Sequence, residues 1–202
     1  MLVTDDRLVA GRDLVALAVA AERGGVTSVQ LRLKRASARE QAAAARALVG
    51  ALRVPLLVND RPDVALAAGA AGVHLGPEDL PVALVRRVVP PGFIVGASAG
   101  LPEEADAALG ADYWGVGPWR STATKADAGD ALGAEGFSRI VARAGDTPCI
   151  AIGGVRPEDV VAVRAAGGAG VAVVSGILAA DDVEAAARRY AAALSPRSPG
   201  SG

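Results

Sequence analysis

The sequence predicts an α/β fold: a single (β/α)8 TIM barrel of parallel strands with its active site at their carboxyl ends. Two features of the chain support this. A junction of an Ala-rich helix, glycine and a short Val-rich strand recurs along it, as in AAERGGVTSVQL at 20–31 and RAAGGAGVAVVSG at 164–176. Continuous apolar strands lie between these junctions, which is typical of a parallel sheet covered by helices.

The predicted strands and helices alternate along the whole chain. Four strands are predicted at 2–5, 54–59, 93–98 and 148–154, and four more inside the junctions at 20–31, 66–76, 108–117 and 164–176. Each strand is followed by a predicted helix, at roughly 12–23, 38–52, 62–68, 81–88, 102–109, 133–144, 157–166 and 181–193. A doubly wound open sheet has the same local alternation and is the alternative, but the eight units favour the barrel.

Length and composition fit one domain. The 202 residues, divided among eight units, leave about 25 for each, close to the lower limit for this fold. The hydrophobic fraction is 51% with only 3% aromatic residues, so the core must be built from many small side chains. We therefore expect a catalytic barrel over 1–194, followed by a disordered tail, SPRSPGSG, at 195–202.

Charge and cysteine content exclude several classes of protein. The net charge of -1 gives no overall field to attract nucleic acid or a membrane surface, so neither is expected as a partner. The single cysteine excludes an intramolecular disulfide and a cysteine-rich zinc site. The start, MLVTDDRLVAG, has acids where a signal peptide has basic residues, so we expect a cytoplasmic protein. A homo-oligomer is left open.

Polar residues gather where the predicted strands end. In a barrel these ends meet at one rim, where the chemistry takes place. The polar or glycine positions there are Thr4, Asp5, Gln30, Arg32, Lys34, Asn59, Asp60, His74, Asp79, Ser98, the STATK run at 121–125, Gly153, Gly154 and Ser175. Because nearly every predicted strand ends in a polar side chain or a glycine, the sequence predicts a polar cavity at this rim.

The segment VQLRLK at 29–34 predicts an anion site. Its alternation places Gln30, Arg32 and Lys34 on one face of the strand. Two cations there, with no acid beside them in the sequence, favour an anionic ligand. The alternative is a pair of long side chains that extend to solvent from a strand edge.

Asp60 and Asp79 follow adjacent strands and predict a Mg²⁺ site. Two carboxylates about 4 Å apart repel by about 4 kcal/mol at an effective dielectric of 20, so a shared site needs a cation or a proton. Mg²⁺ commonly takes one or two carboxylates together with phosphate oxygens and water. The alternative is that each aspartate caps the helix opened by Pro62 or Pro81.

Three further segments could contact a substrate. The run RSTATKADAGD at 120–130 is a solvated loop or a loop that closes on phosphate with Thr122, Thr124 and Lys125 as donors. Glycines in IGGV and VVSG end the last two strands, the usual place of a barrel phosphate site. His74 is either a packed core residue or a substrate contact, and we do not assign it as a general base.

Several long motifs resemble the thiamine phosphate synthase family. They are VTSVQLRLK, LLVNDRPDVALAAGAAGVHLGPEDLP, GVGPWRSTATKAD, AIGGVRPEDV and GVAVVSGIL, in matching order from about residue 2 to 180. The resemblance implies a transferase of thiamine biosynthesis that joins 4-amino-2-methyl-5-(diphosphomethyl)pyrimidine to a thiazole (carboxy)ethyl phosphate. Its products would be thiamine phosphate and pyrophosphate, formed by a Mg²⁺-assisted dissociative displacement.

The resemblance also implies residue roles, with Gln30 facing the pyrimidine. The pyrimidine diphosphate site would comprise Gln30, Leu31, Arg32, Leu33, Lys34, Asn59, Ser98 and Lys125, of which Arg32, Lys34, Ser98 and Lys125 would be catalytic. The thiazole phosphate site would comprise Thr122, Ala123, Thr124, Gly153, Gly154, Val174 and Ser175, and Asp60 and Asp79 would bind Mg²⁺.

Two positions depart from the family pattern. Leu33 stands where an acid is usual, and its side chain should point away from the cavity. Gly100 stands where the family often has histidine. A related thiazole tautomerase uses a histidine there for proton transfer, so Gly100 favours the synthase. The alternatives are that tautomerase, another phosphate-binding TIM barrel enzyme, or a non-catalytic thiazole-phosphate-binding regulator; an epimerase-like barrel would need metal-binding histidines.

Overall fold

A closed barrel of parallel strands forms the protein. The computed structural model describes residues 1–100, 104–121 and 130–195. The strands are β1 Leu2–Val3, β2 Val29–Leu31, β3 Leu56–Asn59, β4 Gly72–Leu75, β5 Ile94–Ser98, β6 Tyr113–Val116, β7 Cys149–Ala151 and β8 Gly170–Val171. They pair in sequential order, each parallel to the next.

The sheet closes between its first strand and the residues that follow its last. Leu2 forms a parallel bridge with Val173. The backbone N–H of Val3 donates to the carbonyl of Val173 at 2.9 Å, and that of Val173 donates to the carbonyl of Met1 at 3.0 Å. This closure confirms the predicted barrel over the open sheet.

Helices follow the strands and cover the outside of the barrel. They are α1 Asp6–Val9, α2 Leu14–Arg23, α3 Ala38–Ala51, α4 Pro62–Ala68, α5 Val82–Val85, α6 Glu104–Ala107, α7 Gly133–Ala144, α8 Val160–Ala165, α9 Ser175–Leu178 and α10 Val183–Leu194. The longest, α3, begins with a capping box between Ser37 and Glu40 and has 14 residues. In the part of the chain that the structure describes, no helix is long and apolar enough to cross a membrane.

The structure corrects several predicted helix bounds. The helix expected at 81–88 is the short α5, because the chain continues after Val85 as tighter turns, in which the Arg87 N–H donates to the carbonyl of Leu84 and the Val88 N–H to that of Val85. The one expected at 157–166 begins as a 3-10 turn, Pro157–Asp159, before α8. The short helices α1 and α9 were not predicted. Residues 102 and 103 of the helix expected at 102–109, and residues 196–202 of the expected tail, lie outside the described residues.

The core is built mainly from small aliphatic side chains, as the composition predicts. Leu2, Val29, Val58, Val73 and Val95 are fully buried. The largest fully buried side chains are Trp114 and Phe137. These side chains pack between the outer face of the strands and the helices. The inward-facing positions near the strand ends line a cavity instead.

Candidate active site

One cavity at the carboxyl ends of the strands brings together most of the predicted site residues. Those that line it are Gln30, Arg32, Lys34, Asn59, Asp60, Ser98, Gly153, Gly154, Val174 and Ser175. Its β2–β5 half consists of Gln30, Arg32, Lys34, Asn59, Asp60 and Ser98, and Asp79 adjoins this half through Asp60 without lining the cavity. Its β7–β8 half consists of Gly153, Gly154, Val174 and Ser175. The remaining predicted residues, Thr122, Ala123, Thr124 and Lys125, lie outside the described residues.

The cations of the β2–β5 half have acidic partners from other strand ends. Arg32 Nη1 lies 3.6 Å from a carboxylate oxygen of Asp5, and Lys34 Nζ lies 3.4 Å from one of Asp60. The backbone at Arg32 is held by Thr4, whose hydroxyl accepts from the Arg32 N–H at 2.7 Å. The sequence shows no acid beside these cations because their partners are distant along the chain.

The two leucines of the basic segment face away from the cavity. Leu31 is 1% exposed and belongs to the hydrophobic core between strands and helices. Leu33 packs against the same core, as expected for a side chain that points away from the cavity. Their side chains do not line the cavity, so any contact that these two residues make with a substrate is through the backbone.

Asp60 and Asp79 form a hydrogen-bonded pair at the edge of the cavity. Asp60 has a left-handed backbone with φ of 64°, and its N–H donates to the carbonyl of His74 at 2.8 Å. The Asp79 carboxylate accepts from the Gly76 N–H at 2.6 Å. Burial, and then the hydrogen bond with Asp60, raises the pKa of Asp79 to about 6. Neither aspartate caps a helix, since α4 and α5 begin after Arg61 and Pro81 without a side-chain capping bond.

This pair could supply two of the oxygen ligands that a magnesium ion needs. Two adjoining carboxylates, one with a raised pKa, are stabilised by a shared proton or by a cation. Among the residues that the structure describes, no group of three or more His, Cys, Asp or Glu side chains could hold a metal. A cation on Asp60 and Asp79 therefore needs further oxygen ligands from a phosphate and from water, the usual coordination of Mg²⁺.

Backbone shapes the β7–β8 half. Gly153 and Gly154 have φ of 86° and 68°, which residues with a side chain adopt at a cost. A Cβ on Gly154 would lie 2.9 Å from Cβ of Arg120. The Arg120 N–H donates to the carbonyl of Gly153 at 2.9 Å, and its guanidinium donates to Asp159 at 2.8 Å. These contacts fix the glycine turn against the end of the β6 segment.

Sequence reasoning missed Tyr113, which lies behind the cavity wall. Its hydroxyl is 2.9 Å from Nδ1 of His74, whose Nε2 is 3.1 Å from the Ser98 hydroxyl. His74 thus lines the cavity and belongs to a hydrogen-bonded network. Of the two interpretations given above, a packed core residue or a residue that can contact substrate, its position at the cavity favours the second. A Cβ on Gly96 would collide with the Tyr113 ring, a contact that follows from the pairing of β5 with β6 and that the sequence alone does not show.

The segment after β5 leaves no room for a side chain at Gly100. A Cβ there would lie 2.5 Å from the carbonyl oxygen of Gly117. The Gly100 N–H donates to the carboxylate of Glu104 at 2.7 Å. The position therefore presents backbone to the cavity, and a histidine could be accommodated only if the segment shifted.

Comparison with known proteins places the chain in a family. Residues 1–177 match the family model for thiamine monophosphate synthase. The thiamine-phosphate synthase of Azorhizobium caulinodans is 50% identical over 192 residues, which cover 93% of this chain and 90% of that protein. That of Xanthobacter autotrophicus is 50% identical over 198 residues, with coverage of 96% and 93%.

A solved structure agrees. The thiamine phosphate pyrophosphorylase from Pyrococcus furiosus is 35% identical, and it superposes with a TM-score of 0.85 over 96% of this chain and 93% of that one. Sequence similarity across nearly the whole chain and a shared barrel lead to one conclusion: the chain belongs to the thiamine monophosphate synthase family.

Proposed function

We propose that this transferase joins 4-amino-2-methyl-5-(diphosphomethyl)pyrimidine to a thiazole phosphate, with release of pyrophosphate. The observation that carries the proposal is the composition of the cavity at the strand ends. Its β2–β5 half collects cationic, amide and hydroxyl side chains beside a carboxylate pair, and its β7–β8 half offers a glycine turn and Ser175. Two differently built halves suit two phosphorylated substrates.

The β2–β5 half would bind the diphosphate and stabilise it as it leaves. Arg32 and Lys34 point into the cavity with side chains 21% and 53% exposed, so both can reach an anion. Asn59 and Ser98 add neutral donors at the same rim. On the family resemblance, Lys125 joins this group. Such groups are most effective when they bind the developing charge of the leaving group more strongly than the bound substrate.

Asp60 and Asp79 would hold Mg²⁺. When bound there, the ion neutralises charge on the diphosphate oxygens and so favours departure of pyrophosphate. Lys34 Nζ lies 3.4 Å from an oxygen of Asp60, so a cation of the proposed anion site adjoins this carboxylate pair. Lys34 and the two aspartates would then act on the same diphosphate, the lysine as a cationic donor and the aspartates as holders of the metal.

The β7–β8 half would hold the thiazole phosphate in position. Glycine backbone at 153 and 154 allows a ligand to approach the N–H groups closely, and Ser175 adds a hydroxyl at the end of the last strand unit. In the proposed displacement the C–O bond to the diphosphate breaks with its electron pair on pyrophosphate. The thiazole nitrogen then forms a C–N bond with the pyrimidinylmethyl cation. Positioning of the two rings replaces any need for a protein nucleophile.

The thiazole tautomerase alternative is less well supported. It places a proton-transferring histidine where this chain has Gly100, and the carbonyl of Gly117 lies 2.5 Å from the point where a Cβ would be. A non-catalytic thiazole-phosphate regulator would need neither the carboxylate pair nor the cations of the β2–β5 half. Both features are present in the cavity.

The test is a reconstitution with purified protein. We expect thiamine phosphate and pyrophosphate to form from the two phosphorylated rings with Mg²⁺, and formation to stop when the metal is fully chelated. Absence of product under all conditions, with tautomerisation or tight thiazole phosphate binding instead, would contradict the proposal. Product that survives full chelation would overturn the assignment of Asp60 and Asp79 alone.

A further inference from the structure

A chain of hydrogen-bonded side chains runs along one wall of the cavity. Tyr113 hydrogen-bonds the side chain of Gln30 and lies 2.9 Å from Nδ1 of His74. His74 Nε2 in turn lies 3.1 Å from the Ser98 hydroxyl. The chain therefore connects Gln30, proposed to face the pyrimidine ring, with Ser98, proposed to contact the diphosphate of the same substrate.

Neighbouring glycines provide the space for the two rings of this chain. Gly96 pairs with His74 on one side and with Tyr113 on the other. A Cβ on Gly96 would collide with the Tyr113 ring, and one on Gly115 would lie 3.0 Å from Cε1 of His74. The rings stack with their centroids 5.5 Å apart. Their mutual position is thus fixed by β5 and β6 as well as by their own hydrogen bond.

The chain has a preferred direction of donation. Two hydroxyls meet the His74 ring, and the phenol of Tyr113 is a stronger donor and a weaker acceptor than the aliphatic hydroxyl of Ser98. Tyr113 has one hydroxyl hydrogen, which is then donated to Nδ1 of His74. A neutral imidazole that accepts at Nδ1 carries its proton on Nε2 and donates it to the Ser98 oxygen. The hydroxyl hydrogen of Ser98 is left to point at the cavity.

We propose that Tyr113 is a positioning residue, which holds His74 as the Nε2–H tautomer so that Ser98 presents its hydroxyl hydrogen to the substrate diphosphate. The identity of that anion rests on the proposed function, whereas the tautomer does not. With the opposite direction of donation, Ser98 would give its hydrogen to His74 and turn lone pairs toward an anion. Donation that begins at Tyr113 avoids this repulsion.

The tautomer can be measured directly, because His74 is the only histidine of the chain. We would record nitrogen NMR spectra of tag-free protein with a 15N-labelled imidazole, without substrate, at about pH 8, where histidines are ordinarily neutral. The expected spectrum has a protonated Nε2 and an unprotonated Nδ1. A protonated Nδ1 in the wild type overturns the proposal without any variant.

Tyr113→Phe tests the role of the hydroxyl. We expect the two ring-nitrogen signals to move toward those of a tautomer mixture. We also expect the KM for the pyrimidine diphosphate to rise about tenfold, while the KM for the thiazole phosphate changes less than about twofold. An unchanged nitrogen spectrum, or equal rises in both KM values, overturns the proposal.

Two further variants separate this role from a general loss of structure. Tyr190→Phe is the matched control, because it removes another buried hydroxyl, which donates to the carbonyl of Val155 at 3.0 Å. It should leave the His74 spectrum unchanged. In a Ser98→Ala background, Tyr113→Phe should add no further rise in KM, and additive effects overturn the coupling. A wild type that makes no thiamine phosphate but shows the Nε2–H tautomer would refute the proposed function alone.

Discussion

The two halves of the cavity differ in what they offer a ligand. The β2–β5 half uses long side chains whose charges are paired across strands, Arg32 with Asp5 and Lys34 with Asp60. The β7–β8 half uses backbone that only glycine can place, at positive φ beside Arg120. The two halves should therefore respond to different substitutions. Removal of a charge should impair the β2–β5 half with little effect on the fold, whereas an added Cβ should impair the β7–β8 half by straining its backbone.

The carboxylate pair should give the largest effect. Asp60→Asn removes one charge of the proposed Mg²⁺ site while keeping the side-chain size, so we expect kcat/KM with Mg²⁺ to fall by about a hundredfold or more. The fall should come with a higher Mg²⁺ requirement, measured by titrating the metal against product formation. Asp181→Asn is the matched control, because Asp181 is exposed and outside the cavity. An Asp60→Asn enzyme with the wild-type Mg²⁺ requirement would exclude Asp60 as a ligand.

The glycine turn should give an intermediate effect confined to the other substrate. Gly154→Ala places a Cβ at φ of 68° and 2.9 Å from Cβ of Arg120. A left-handed backbone costs an L-residue about 1–2 kcal/mol, so we expect the KM for thiazole phosphate to rise about tenfold. Steady-state kinetics in each substrate should show an unchanged KM for the pyrimidine diphosphate.

Gly50→Ala is the matched control for the glycine turn. Gly50 lies in α3, and a Cβ there would meet nothing within 4 Å. Alanine in a helix is favoured over glycine, so thermal unfolding should show a protein that is stabilised by about 0.5–1 kcal/mol with normal kinetics. If Gly154→Ala behaved like Gly50→Ala, the β7–β8 half would not depend on a glycine turn.

The smallest effect concerns the ion pair that supports the β7–β8 half. Hydrogen bonding to Arg120 lowers the pKa of Asp159, although burial opposes this. A carboxyl whose pKa is lower in the folded state stabilises the protein above its ordinary pKa of 3.8 and loses that contribution as the pH falls through the folded-state pKa. We expect Asp159→Asn to lower the free energy of unfolding by about 1 kcal/mol at pH 7.

The same variant should approach the wild type in acid. Denaturant unfolding curves at pH 7 and below pH 3.8 would show whether the difference shrinks as the carboxyl is protonated. A difference that is constant across this range would mean that Asp159 acts through packing and not through its charge.

The sequence predicts the barrel well because its signals are local. Each strand is apolar and is followed by a helix, and polar residues recur at the strand ends. The residues of the β2–β5 half could therefore be predicted from the order of the strands alone. The short α1 and α9, each of four residues, carry too little periodicity to be predicted.

What the sequence does not show are contacts that depend on register between strands. Arg32 meets Asp5, and Tyr113 meets His74, because particular residues of neighbouring strands stand side by side. Gly96 is informative only when its two neighbours in the sheet are known. The structure therefore adds the partners of the charged groups and the buried hydrogen-bonded chain behind Ser98.

Measuring how each anion binds alone is the most direct test of whether each half of the cavity binds one of the two substrates. Calorimetric titration with Mg²⁺-pyrophosphate and, separately, with thiazole phosphate would compare the wild type with Arg32→Ala and Gly154→Ala. We expect Arg32→Ala to weaken only pyrophosphate binding and Gly154→Ala to weaken only thiazole phosphate binding, each by about tenfold. If both variants weakened both ligands equally, the cavity would not be divided into the two halves described.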